Sequence, residues 1–169
     1  MTNLATITDI QAIRPIGQIN STTNDRINMY ITEAQSFDVA PSIGLTLLAD
    51  VIANPATAPN LLLLSGGTYT VNAKVYECLG LKKAIAYYSY CRIVKNNCIN
   101  VTAFGVTEKT TDNSEPAGEA KVSMAVREAE ASGKACLESC LRLLKNVPTN
   151  YPLAEVTGTR GCKWKIYGD

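Results

Sequence analysis

Cysteine is the residue type best supplied for chemistry in this chain, at Cys78, Cys91, Cys98, Cys136, Cys140 and Cys162. No pair has the Cys-x-x-Cys spacing of a zinc ribbon or a dithiol redox motif. Cys136 and Cys140 are one helical turn apart, a spacing that sets two thiols on one helix face and leaves a metal, a disulfide or plain packing open. Their neighbours Leu137, Leu141 and Leu144 are apolar, and a free cysteine packs as a small hydrophobe, so the surroundings favour a reduced pair in the core. The chain contains no histidine. That removes the commonest general base, the usual partner of a serine or cysteine nucleophile, and the commonest transition-metal ligand.

Carboxylates do not replace it. Glu108, Asp112 and Glu115 fall in a stretch where a poised pair would be poorly held, and Glu128 and Glu130 have the wrong spacing to share a helix face. Ser65-Gly66-Gly67 lacks the further glycines and the Lys-Ser/Thr of a phosphate loop, and there is no Gly-x-Ser-x-Gly elbow. No nucleophile, base and orienting group come together. The expectation is a non-enzyme with no catalytic, metal or cofactor-binding residues and no cofactor. A net charge of +1 argues against an electrostatic nucleic-acid trap, since strong phosphate binding needs clustered cations. The nearest approach to a cluster, Arg160, Lys163 and Lys165, reads as a solvated tail.

The elements that would carry any site are mostly helical. Met1–Ile19 lacks a charged start followed by an apolar run, and Leu61–Leu64 is the longest apolar run, so a soluble chain made in a cytosol is expected, without membrane contact. Arg14-Pro15 and Gly17 break up the isoleucines of this opening, which reads as an extended arm over 1–23. Ile27, Tyr30, Ile31, Ala34, Phe37 and Val39 line one face of a helix that Pro41 stops. Ile43, Leu47, Leu48, Val51 and Ile52 restart one. Leu61–Leu64 is a short helix closed by Ser65-Gly66-Gly67, and Thr68–Tyr76 leans to strand around Tyr69. Leu79–Asn97 is the central helix. Its Tyr87, Tyr88 and Tyr90 fit either an interaction face or a cap on the core. Glu119–Val147 is the longest helix, ended by Pro148. Its inner face is made of Ala120, Ala125, Ala129, Gly133, Cys136 and Cys140, small enough for close helix approach. Cys162–Tyr167 alternates around Trp164 as a short strand.

Asn100–Ala117, NVTAFGVTEKTTDNSEPA, joins the two longest helices. It is too long for an ordinary helix connection and too rich in Val, Thr and Phe for a plain linker. It reads as a finger over 98–117, one arm of which runs from Val101 through Phe104, Gly105, Val106 and Glu108 to a polar tip at Thr110–Asn113. The 169 residues thus form one mainly α domain: four main helices, a long β-rich hairpin insertion, extended terminal arms and a tail over 149–169. With no chemistry to serve, these appendages suit assembly through backbone pairing between neighbours. The candidate interface residues are Val101, Phe104, Gly105, Val106, Glu108, Lys109, Tyr69 and Trp164.

Thr8-Asp9-Ile10, Arg14-Pro15-Ile16, Asp25-Arg26-Ile27, Tyr30-Ile31 and Glu33-Ala34-Gln35 resemble the opening of a head-to-tail adaptor family of tailed phages of Bacteroidetes, including the crAss-like group. The likeness continues in Pro41-Ser42-Ile43-Gly44, Leu64-Ser65-Gly66-Gly67-Thr68-Tyr69, Gly80-Leu81-Lys82, Ala86–Arg92, Thr102–Val106 and Ser114-Glu115-Pro116. It spans the chain to about Pro148, and its strength is the order of the motifs. The resemblance implies a single helical connector domain that forms a homo-oligomeric ring, a dodecamer matching a portal. It further implies a place in the virion neck, between the portal protein and adjacent neck or tail rings, around a channel that genomic DNA crosses passively. A near-neutral charge suits such a conduit. The alternative is a small non-enzymatic protein-binding adaptor acting in the host cytosol, for which the tyrosine-rich helix is the cue; a cysteine-based metal or redox protein is the third reading.

Overall fold

Thr6 and Asp9 start the fold. The computed structural model describes residues 2–14, 16, 21–96, 99–102, 105–108 and 119–155, and its first element is helix α1, Ile7–Ile13. The Thr6 hydroxyl accepts from the Asp9 amide, and the Asp9 carboxylate accepts from the Thr6 amide at 2.7 Å. This reciprocal cap satisfies two donors that a helix start leaves without partners. The extended arm expected over 1–23 is therefore corrected. Arg14-Pro15 follows a helix here and does not forbid one.

Helix α2, Ser21–Glu33, runs into a π-helical turn, Ala34–Val39, and then into α3, Ala40–Ile43. The wider π turn changes which residues face inward. Ile27, Ile31, Ala34, Val39, Ala40 and Ile43 are buried, with Ala34 and Val39 five apart on the same side. Phe37, which a regular helix would bury with them, is 69% exposed. Pro41 does not stop the helix: it lies in the first turn of α3, directly after the π turn. The break falls at Gly44, with φ 89°, and the helical axis turns by 119° between Asn24–Ile43 and α4, Leu45–Ala53. Among the described residues, no single helix is long and apolar enough to cross a membrane.

Helix α5, Ala58–Ser65, leads into a hairpin of β1, Gly67–Val71, and β2, Lys74–Cys78. The strands pair antiparallel with Tyr69 opposite Tyr76. Asn72 and Ala73 close them with φ of 50° and 62°, the positive pair that suits the twist of a two-residue hairpin turn. Helix α6, Leu81–Asn96, is the hub. It contacts α1, α2, the π turn, α5 and α7, Glu119–Asn146. Burial around much of its circumference follows: Leu81, Ala84, Ile85, Ala86, Ser89 and Cys91 are all inside. On α7 the small-residue face is buried at Ala129, Gly133, Cys136 and Cys140, while Ala120 at its start is exposed. Between α6 and α7 a second antiparallel hairpin is formed by β3, Ile99–Thr102, and β4, Gly105–Glu108.

After α7 the chain turns through Pro148–Asn150 and folds back. Tyr151 is buried and its hydroxyl donates to the Pro59 carbonyl at 2.6 Å, while the Glu155 amide donates to the Ile43 carbonyl. The strand expected at Cys162–Tyr167, and Trp164 with it, lies outside the described residues. Among the described residues the molecule is thus mainly helical with two small antiparallel hairpins.

Candidate functional site

The β3–β4 hairpin occupies the described part of the stretch expected as the finger, 98–117, and its course differs from the expected one. Val101 pairs with Val106, Thr102 with Gly105, and Ile99 with Glu108. The chain has therefore already reversed by Gly105, and the single outward arm from Val101 to Glu108 is corrected to two short strands. Alternation along one strand and cross-strand pairing of β-branched residues leave a similar mark in sequence, which is why the turn was hidden. Phe104, Lys109 and the tip expected at Thr110–Asn113 lie outside the described residues.

Tyr69 belongs to the other hairpin and faces inward. Its ring stacks on Tyr76 with centroids 5.5 Å apart, and its hydroxyl accepts from the Asn146 side chain at 3.2 Å. This ties the β1–β2 hairpin to the end of α7. The outward face of the hairpin carries Thr68, Thr70, Val75 and Glu77, and Val75 is 71% exposed. Phe37 and Leu45, on either side of the Gly44 bend, are large exposed apolar side chains of the helical part. None of these three was singled out as a contact residue by sequence. Phe37 was hidden by the π turn, and Leu45 and Val75 read as ordinary members of an apolar helix and a strand.

The α6–α7 seam absorbs the tyrosines. Tyr87, Tyr88 and Tyr90 are half-buried against the core. Burial, and then the Asp38 carboxylate, push the Tyr88 hydroxyl up to about 12. A Cβ added at Gly133 would stand 3.2 Å from the Tyr88 ring and 3.3 Å from the Tyr87 Cβ, so the glycine is what lets α7 approach. We expect Gly133→Ala to change stability by less than about 1 kcal/mol in thermal unfolding, because alanine's helix preference of about 1 kcal/mol is offset by crowding against the rings. Gly133→Leu is expected to cost about 3 kcal/mol in the same measurement, since neither helix can recede without opening the core.

Charges staple the outside of the seam. Lys95 pairs with Glu130 at 2.6 Å and Arg14 with Glu128 at 3.4 Å, so the two glutamates serve different helices. Arg92 lies deeper, with its Nε 3.3 Å from Glu33 and its Nη1 2.6 Å from Asp38, binding α6 to α2 and the π turn. Cys136 and Cys140 are buried on α7, and Cys140 stands 3.7 Å, sulfur to sulfur, from Cys78 at the end of β2. The four described cysteines are free thiols. Among the described residues, no group of three His, Cys, Asp or Glu side chains is placed to hold a metal ion.

Comparison with known families adds one finding. The profile of DUF6712, a family of unknown function, matches residues 39–163, well over half of the chain. The chain belongs to the DUF6712 family. The matched segment of this DUF6712 member begins at the last residue of the π turn and takes in both hairpins and the α6–α7 seam, whereas α1 and α2 precede it. No curated protein and no solved structure matches this DUF6712 chain.

Proposed function

We propose that this chain is a structural subunit of a phage virion neck, a connector-type domain of four main helices that assembles with copies of itself into a ring joining head to tail. The ring is a dodecamer seated below the portal protein or between neighbouring neck and tail rings, with genomic DNA crossing its lumen. The observation that carries this reading is a helical core that leaves several large apolar side chains exposed on its surface. Phe37, Leu45 and Val75 are among the large apolar side chains that the fold leaves exposed, apolar surface available for a neighbour to cover. The β3–β4 hairpin adds short strand edges able to pair with another backbone. Near-neutral charge and the ordered motifs of the sequence support the same reading. The contacts are assigned to the finger, through Val101, Phe104, Gly105, Val106, Glu108 and Lys109, and to Trp164; Tyr69 supports its own domain. The tyrosine-rich helix, the cue for a host-side adaptor, packs its rings within the fold.

The test is assembly. Purified chain examined by sedimentation and electron microscopy is expected to form closed rings, and antibody labelling is expected to mark virion necks. Replacing 100–117 by a short Gly-Ser link should abolish rings while leaving the helical circular dichroism intact. A chain that stays monomeric at high concentration, together with virions whose necks lack it, would refute the reading.

A further inference from the structure

Cys78 and Cys140 are 62 positions apart in sequence, yet their sulfurs stand 3.7 Å apart. Both are buried, at 1% and 0% exposure. Their surroundings fix them from two sides. The Leu79 amide donates to the Ser139 hydroxyl at 2.9 Å, and that hydroxyl donates to the Cys136 carbonyl at 2.7 Å, so the end of β2 is docked on α7 beside the pair. Bond formation requires the sulfurs to close by about 1.7 Å, to the ordinary length of about 2.05 Å. The two thiols are unequal. The hydrogen bond to Cys78 and burial raise Cys140, which keeps its proton, while the same contact lowers Cys78. Cys78 is therefore the nucleophile of the pair.

We propose that Cys78 and Cys140 form a redox-modification site, at which a peroxide converts the two thiols into an intrachain disulfide that locks β2 to α7. The Cys78 thiolate attacks one peroxide oxygen, and the O–O bond breaks to leave a sulfenic acid and, after protonation, one water. The Cys140 sulfur then attacks the Cys78 sulfur. The S–S bond forms, the S–O bond breaks, and the hydroxyl leaves as a second water with the Cys140 proton. Two thiols and one hydrogen peroxide thus give one disulfide and two waters; the sulfurs lose two electrons and the peroxide oxygens gain them. The crosslink closes a long loop in the unfolded chain, which raises the unfolding temperature by about 10 °C. The site is independent of ring assembly and requires nothing of the finger.

The test treats the native chain with hydrogen peroxide, quenches the peroxide, unfolds the chain to alkylate the remaining thiols and maps the digest by mass spectrometry. Exposed Met29 and Met124 report the dose through their sulfoxides. The expected result is a Cys78–Cys140 linked peptide pair that dithiothreitol reverses, with the rise in melting temperature. Cys78→Ala and Cys140→Ala should each lose the link, and Cys136→Ala should keep it. Finding both cysteines still free and fully alkylated after unfolding, in chain whose exposed methionines were oxidised while it was native, would overturn the proposal. So would a link that forms only in denaturant, or one that joins Cys136 instead.

Discussion

Gly80→Ala is expected to destabilise the protein by about 3 kcal/mol and to lower its melting temperature by about 10 °C. Gly80 has φ of +90°, in the left-handed half of conformational space, where a side chain is strained by about 1–3 kcal/mol. A Cβ there would also stand 2.7 Å from both the Gly66 nitrogen and the Leu64 carbonyl oxygen, and 2.8 Å from the Ser65 carbonyl carbon. All three are backbone atoms and cannot swing aside as a side-chain tip can. Gly66 meets Gly80 from the other side, with φ of +83° and a virtual Cβ 2.6 Å from the Cys78 carbonyl oxygen. The two glycines therefore bring the exit of α5 and the exit of β2 into backbone contact at the base of the first hairpin. Alanine at Gly80 must push these segments apart, and Cys78, Leu64 and Leu81, all buried, move with them. Thermal unfolding followed by circular dichroism reads the effect. An alanine variant melting within a degree or two of the parent would show that the base of the hairpin yields freely, and would remove this explanation for the glycine pair. Gly133→Ala, whose Cβ meets flexible rings on a regular helix, is the contrasting substitution.

Long regular periods were legible in the sequence, and local irregularities were not. Leu81, Ala84 and Ile85 on α6 and Leu47, Leu48 and Val51 on α4 follow helical spacing, and all six are buried. The stop at Pro148 was equally clear, because a proline beyond an apolar period ends a helix by sterics alone. The π turn was not legible. It shifts the inward face by about one residue with no signature residue of its own, so Phe37 was counted inside. Nor was the first hairpin, whose turn places Ala73 where glycine is usual, so the Asn-Gly signal was absent. Thr6-x-x-Asp9 carries a signal for α1, the capping box, which the helix-breaking Arg14-Pro15 after it masks. Of the candidate interface residues, sequence ran Val101, Gly105, Val106 and Glu108 along one outward arm, whereas the structure divides them between two paired strands. Tyr69 was read in a separate strand-leaning segment, Thr68–Tyr76, and the structure has it in β1 of the other hairpin. Cys78 and Cys140 could not be paired by sequence at all, because their proximity depends on how β2 docks on α7.

The second large effect is expected at Gln35, a polar side chain of the π turn with no exposure. Its Oε1 accepts from the Leu4 amide at 2.8 Å and its Nε2 donates to the Thr2 carbonyl at 3.1 Å, so one amide holds the segment before α1 much as a neighbouring strand would. Asn3 adds a weaker grip from the surface, accepting from Thr32 and donating to the Asn28 carbonyl. Gln35→Leu keeps the bulk and removes both bonds. The Thr2 carbonyl is near solvent and can turn to water, but the amide of buried Leu4 cannot. An unpaired buried donor costs about 1–3 kcal/mol, and loosening Leu4, Ala5 and Ile10 adds apolar area lost from the core, for a total of about 3 kcal/mol. Hydrogen exchange is expected to quicken across Leu4–Ile13 while α6 and α7 stay protected. Gln35→Glu separates the hydrogen-bond account from simple packing. A protonated carboxyl can still accept from Leu4 and donate to Thr2, whereas a carboxylate cannot donate and is costly to bury. Burial raises the folded pKa of such a group above its unfolded value of about 4.3, so its stabilising contribution is complete below that pH and is lost as pH rises through the folded pKa. The melting temperature of Gln35→Glu should therefore approach the parent's near pH 4 and fall well behind it at pH 7. A gap of the same size at both pH values would mean that shape, rather than the two hydrogen bonds, holds the amino-terminal segment in place.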